Sequence, residues 1–169
     1  ERYELRVVKS NGEVACCEIS GVPFEWEGRP ANLIFATDVT ARKQAETSLQ
    51  FQYGLVSSLL NSIPDLVFYK DREGVYLGCN PEFARHVGRS QDEVLGKTDY
   101  DLYDREQAEV FRANDRKVIE AGQPLTEEEL VRYPNGREIL VDTLKAPLLS
   151  PEGETIGVVG VARDITERK

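Results

Sequence analysis

Apolar and polar positions alternate along the chain in two periods, and their order repeats. Residues 2–9, 14–24 and 32–37 carry the branched and aromatic runs of strands. The Asn11-Gly12 pair separates the first two as a hairpin turn, and Glu27-Gly28-Arg29-Pro30 breaks the second from the third. The same series returns near the end. Strands are expected over 127–133, 138–148 and 155–162, with turns at Asn135-Gly136 and Glu152-Gly153. Asn11 aligns with Asn135 and Asp38 with Asp164, at offsets of 124 and 126 residues. Each series closes on a matching tripeptide, Asp38-Val39-Thr40 and Asp164-Ile165-Thr166.

Between the two series the period becomes helical. No proline interrupts the chain from Asp38 to Pro64, and Leu49, Tyr53, Val56, Leu60 and Ile63 fall at heptad spacing, with Gly54 weakening the seam. Such a seam suits a homodimer, or a helix lying on its own domain's sheet. The pattern leaves both open, and both can hold on different faces.

After Pro64 come segments that the first series lacks. Leu66 to Tyr69 and Val75 to Cys79 form a hairpin around Asp71-Arg72-Glu73-Gly74. Three helix starts follow. Asn80 caps a helix with Pro81 in its first position and Gly88 at its end. Ser90 and Glu93 form a capping box closed by Gly96. Asp104 and Gln107 open the longest helix of this half, with Ala108, Phe111, Val118 and Ile119 near one face.

Charge and composition narrow the partners. The 169 residues hold 30 acids against 21 bases, for a formal charge of −9, which argues against nucleic acid. No apolar stretch approaches the roughly 20 residues that cross a bilayer, so no membrane span is expected. Cys16 and Cys17 are adjacent and Cys79 stands apart, so reduced thiols and a cytoplasmic location fit best. A chain that begins with Glu inside a strand pattern reads as an excerpt of a longer protein.

Residues 62–166 resemble a PAS sensory domain, and residues 1–40 resemble the back half of another. The resemblance rests on Ile63-Pro64-Asp65, Asp71-Arg72-Glu73-Gly74, Asn80-Pro81-Glu82-Phe83, Gly96-Lys97-Thr98, Pro134-Asn135-Gly136-Arg137 and the two closing tripeptides. It implies an α+β fold: a five-stranded antiparallel sheet with helices on one face, preceded by a three-stranded partial copy and a linker helix. The expected domains are a partial copy over 1–40, a linker helix over 41–63 and a complete PAS domain over 64–169. The resemblance also implies that Asp38, Thr40, Asp164 and Thr166 carry the signal out of each copy. PAS modules commonly precede output domains such as histidine kinases, including those of two-component systems, and diguanylate cyclases.

Several motifs invite chemistry. Gly96-Lys97-Thr98 lacks the earlier glycine of a phosphate-binding loop, since Gln91 holds that position. His86 is the only histidine, so no metal site built from several histidines forms. It sits on the short helix after Asn80, while in haem-binding PAS domains the axial His lies on the longer helix. A partly buried, hydrogen-bonded His86 is expected. Light-sensing relatives place a flavin-reactive Cys where this chain has Gly96 to Tyr100, and Cys79 reads as a core thiol. No cofactor is therefore expected, although no single residue excludes a non-covalent flavin. Asp99, Asp101, Asp104 and the run Glu127 to Glu129 read as solvated faces. No catalytic constellation is present, so the segment reads as regulatory rather than enzymatic.

The sequence thus points to a sensor module with a small-molecule pocket between sheet and helices. The alternative is a ligand-free dimerisation and spacer module. The expected lining is Val67 and Tyr69 from the first strand, in preference to Leu66 and Phe68. Phe83, Val87, Tyr100, Phe111, Ile119, Leu130 and Arg132 complete it. Arg132 would hold a carboxylate-type acceptor, or else face solvent and pair with Glu128 or Glu138. A homodimer through the linker helix and an output domain in the same chain complete the expected partners.

Overall fold

The computed structural model describes residues 2–132, 136 and 138–166. The chain divides into two compact units, residues 1–57 and 58–169. The turn motif Pro134-Asn135-Gly136-Arg137, apart from Gly136, lies outside the described residues.

The first unit is a three-stranded antiparallel sheet of β1 (Arg2–Val8), β2 (Val14–Trp26) and β3 (Arg29–Asp38), in that order. The break expected over Glu27 to Pro30 is shorter than the sequence suggested. The strand resumes at Arg29, and Pro30 lies opposite Glu25. β3 is an edge strand, where the missing N–H of a proline is tolerated. A long helix, α1 (Thr40–Ser62), follows, and the division between the units falls within it. None of its residues is buried. Leu49, Tyr53 and Val56 are exposed, while Leu60 and Ile63 are half-buried.

The second unit has the order β4 (Leu66–Asp71), β5 (Tyr76–Cys79), α2 (Pro81–Val87), α3 (Gln91–Val94), α4 (Asp99–Leu102), α5 (Arg105–Ala121), β6 (Leu125–Arg132), β7 (Glu138–Leu149) and β8 (Thr155–Asp164). The sheet order is β5-β4-β8-β7-β6, antiparallel throughout. The helices carry the chain from the β5 edge to the β6 edge, and β8 returns to the centre beside β4. The central strand can be thin because it is built of small residues. The Phe68 ring lies over Gly160, where a Cβ would stand 2.2 Å from it.

Local signals set the ends of these elements. Ser90 and Glu93 exchange bonds as a capping box, and Asp104 accepts from the Gln107 amide at 2.9 Å. Asn80 does more than cap α2. Its Oδ1 accepts from the amides of Phe83 and Val67, both at 3.0 Å. Its Nδ2 donates to the carbonyls of Asp65 (2.8 Å), Ile63 (3.2 Å) and Leu60 (3.4 Å). One buried amide thus ties the end of α1, the start of β4 and the start of α2. Arg163 on β8 closes the same corner with a forked contact to Asp65, 2.8 Å at its shortest.

Candidate functional site

Strand alternation brings Leu66, Phe68 and Lys70 of β4 to the helix-facing side of the sheet, with Val141, Thr143 and Lys145 of β7, Glu129 and Val131 of β6, and Ala162 of β8. Tyr76 of β5, Phe83 and His86 of α2, Asp99 of α4, Tyr103 just after α4 and Phe111 of α5 complete the wall of an interior cavity of about 30 Å³. That exceeds the roughly 10–15 Å³ that a single water needs and falls far short of the roughly 300–1,000 Å³ typical of small-molecule pockets.

One end of this cavity is ionic and buried. The Lys70 ammonium is bonded to both Asp99 oxygens at 2.7 Å and to Asp115 Oδ2 at 2.9 Å. The Tyr76 hydroxyl donates to Asp99 Oδ1 at 2.8 Å, and burial pushes its pKa well above the usual value. Lys145 stands 3.1 Å from Asp115 Oδ1 and 3.6 Å from Glu129. Arg112 approaches Asp115 at 3.8 Å and lies over Gly74, where a Cβ would stand 2.0 Å from its guanidinium. Burial pushes the Asp115 carboxyl up, but Lys70 and Lys145 outweigh it and hold it below the ordinary range. The Thr143 hydroxyl is buried with no hydrogen-bond partner among the described residues.

The other end is apolar and aromatic. Phe83 packs 5.2 Å from Phe68 and 5.3 Å from Tyr76, and Tyr103 meets Phe111 edge-on at 5.0 Å. His86 is 3 % exposed. Burial lowers its pKa to about 4, with the Asp164 charge opposing, so it is neutral at pH 7. Cys79 is a core thiol pushed up to about 11 by burial.

The expected lining is corrected in several places. Of the named residues only Phe83 and Phe111 meet at the cavity. Val67 and Tyr69 point to the opposite face, and the Tyr69 ring lies against Gly78. Val87 is buried in the core beside Phe83, and Ile119 is half-buried on α5. Tyr100 and Leu130 are exposed. Arg132 faces outward, with Nε 2.9 Å from Glu138 and a longer 3.7 Å contact to Asp104. Asp99 is fully buried and Glu129 nearly so, rather than parts of solvated faces. The sequence reading missed Lys70, Tyr76, Asp115, Thr143 and Lys145.

A second concavity, an open groove of about 590 Å³, runs between α5 and β6. It is lined by Asp104, Glu106, Glu127, Glu128 and Glu129 with Val110, Leu130 and Arg132 among others.

The two closing tripeptides form matching clamps, one in each unit. In the first, Asp38 Oδ1 accepts from the Thr40 amide at 2.9 Å and hydroxyl at 2.5 Å. The Thr40 hydroxyl in turn accepts from the Cys16 amide at 2.8 Å, and the Val39 amide donates to the Cys16 carbonyl at 2.8 Å. These bonds and Lys9 lower the Asp38 pKa to about 2. In the second, Asp164 Oδ1 accepts from the Thr166 amide at 2.9 Å. The Thr166 hydroxyl accepts from the Leu140 amide at 3.1 Å, and Ile165 donates to the Leu140 carbonyl at 2.9 Å. Each clamp fixes the departing chain to the long second strand of its own series.

A family model described as PAS fold matches residues 60–169, and one described as PAS domain matches residues 1–41. The chain belongs to the PAS fold family. It is 34% identical over 118 residues to the aerobic respiration control sensor protein ArcB of Escherichia coli, covering 70% of this chain and 15% of ArcB. It is 34% identical, again over 118 residues, to a diguanylate cyclase of Vibrio cholerae, covering 69% of this chain and 37% of that protein. The chain therefore spans well under half the length of these relatives. Among solved structures, the phage VqmA–DPO complex superposes with a TM-score of 0.60 at 26% identity, covering 73% of this chain and 57% of the other. PAS domains are regulatory, and this one is a sensor module of signal transduction. Among the described residues no helix is long and apolar enough to cross a membrane.

Proposed function

We propose that residues 58–169 sense a small polar molecule in the interior cavity. The response leaves through the Asp164–Thr166 clamp to an output domain of a longer cytoplasmic protein, such as a histidine kinase or a diguanylate cyclase. The observation that carries this reading is the charge buried around the cavity. Replacing a buried ion network with apolar side chains of equal volume is often neutral, or stabilising by about 1–4 kcal/mol. A module that only filled space would gain nothing from Lys70, Asp99, Asp115 and Lys145. Charged groups converging on a cavity are the ordinary signature of a binding site. The likeness to the phage VqmA described in complex with DPO supports a ligand-binding reading of this fold.

The volume of about 30 Å³ defines the state as closed, so a ligand must displace side chains to enter. The same volume favours a second reading, a ligand-free spacer that dimerises through α1 and aligns its neighbours. The apolar stripe of Leu49, Tyr53 and Val56, exposed on α1, suits a second copy in either reading. Residues 1–40 are taken as the back half of a further PAS domain.

Native mass spectrometry of the protein as purified, followed by a thermal-shift screen of small polar compounds, separates the two. The sensor reading expects a bound mass or a compound that raises Tm in wild type and not in Lys145→Met. A bare protein that no compound stabilises supports the spacer.

A further inference from the structure

Phe111 and Glu129 line both the outer groove and the interior cavity, so their side chains form the wall between the two. Glu129 is held there by Asn114 Nδ2 at 3.2 Å and by Lys145 at 3.6 Å. A wall made of two side chains can open by rotamer change, without unpairing the sheet. Opening it would join a cavity too small for an organic molecule to a groove of ample size.

Charge on both sides of this wall restricts what can pass and stay. The groove carries Asp104, Glu106, Glu127, Glu128 and Glu129 against Arg132, which disfavours anions. Inside, Lys70, Lys145 and Arg112 are matched by Asp99, Asp115 and Glu129, three formal charges of each sign. A charged ligand of either sign would upset that balance where water cannot compensate. An uncharged one would not. The unpartnered Thr143 hydroxyl then supplies the anchor, since a buried hydroxyl without a bond gains most from one.

Resting on the reading of this cavity as the ligand site, we propose that its ligand is a small uncharged molecule. It has an apolar, ring-like body and one hydroxyl or carbonyl group. It enters through the Phe111–Glu129 wall and bonds to Thr143. The ring would lie against Phe83 and Phe111.

Three probes of one shape test this: benzyl alcohol, benzoate and benzylamine, titrated at pH 7 and followed by NMR shifts at Val141, Thr143 and Ala162. Benzyl alcohol is expected to bind at least 10-fold more tightly than either ion. Thr143→Val should weaken it about 5-fold or more, and Thr143→Ser should restore it. Glu129→Gln, which leaves one positive charge uncompensated, should raise benzoate affinity at least 10-fold. Equal or tighter binding of benzoate or benzylamine to wild type overturns this inference but leaves the sensor reading standing. Indifference of benzyl alcohol to Thr143→Val does the same. No interior response to any probe overturns the inference. If the native mass and the thermal-shift screen are also blank, the sensor reading falls with it.

Discussion

The Lys70 ammonium lies 2.7 Å from both carboxylate oxygens of Asp99, and neither side chain reaches solvent. Lys70 comes from the first strand of the PAS sheet and Asp99 from a one-turn helix. Asp115, from α5, meets the same ammonium. Three separate elements are thus held together by one buried cation. Breaking a buried pair by removing one partner costs roughly 3–5 kcal/mol, because the other charge is left uncompensated. Lys70→Met should cost that much in urea denaturation. The double variant Lys70→Met/Asp99→Asn should cost less than the sum of its single variants. A loss under about 1 kcal/mol for Lys70→Met would show that the network is not held as described.

Stability should fall in acid in two stages. His86 titrates near 4 when folded and near 6.5 when free. Between those values the unfolded chain binds more protons, so stability is fully present above pH 6.5 and declines as pH falls toward 4. The expected loss is on the order of 3 kcal/mol. His86→Phe should flatten the profile in that window. Below it, the depressed carboxylates of Asp115 and Asp38 add a further loss as they take up protons. A wild-type stability that is constant from pH 7 to pH 4 would contradict this account of His86.

The clamps can be tested one at a time. Thr166→Val removes the acceptor for the Leu140 amide, and Thr40→Val removes the one for Cys16. Each should cost about 0.5–1.5 kcal/mol. Amide exchange should quicken at Leu140 in the first variant and at Cys16 in the second. Unchanged exchange at these amides would show that the threonine hydroxyls do not hold the strands.

The stripe on α1 makes a prediction about assembly. Each apolar side chain buried in a seam contributes roughly 1.5–3 kcal/mol. Val56→Glu and Leu49→Glu should therefore weaken a homodimer by at least 10-fold in sedimentation. A wild-type monomer at high micromolar concentration would remove the seam.

Much of this architecture was legible in the sequence because it is written in local signals. Asn80 caps Phe83, Ser90 pairs with Glu93, and Asp38 and Asp164 each accept from the threonine amide two residues on, all within a few residues. The longer reach of Asn80 and of the two threonines is not written locally. The face of β4 was not legible. Leu66, Val67, Phe68 and Tyr69 are apolar in succession, so alternation alone offers no choice. Glycines on neighbouring strands decide it, Gly160 under Phe68 and Gly78 beside Tyr69. β6 misled in the opposite way. Its carboxylates at Glu127 and Glu129 turn toward Asn114, Lys117 and Lys145, while Leu130 and Arg132 turn out. A clue to the ionic cluster was present. Lys70 shares a face with Phe68, Lys145 with Val141, and Asp115 with Phe111 and Val118. Opposite charges on three buried stripes need one another, but the chain does not announce that the stripes converge.

The central claim is that occupancy of the cavity reaches the exit clamp. Hydrogen exchange of the Leu140 and Ile165 amides, measured with the cavity empty and with it saturated by a compound that shifts Thr143, tests this most directly. The account predicts a change in protection at both amides, of at least several-fold, that disappears in Thr143→Val. Saturation of the cavity with unaltered exchange at Leu140 and Ile165 would contradict it.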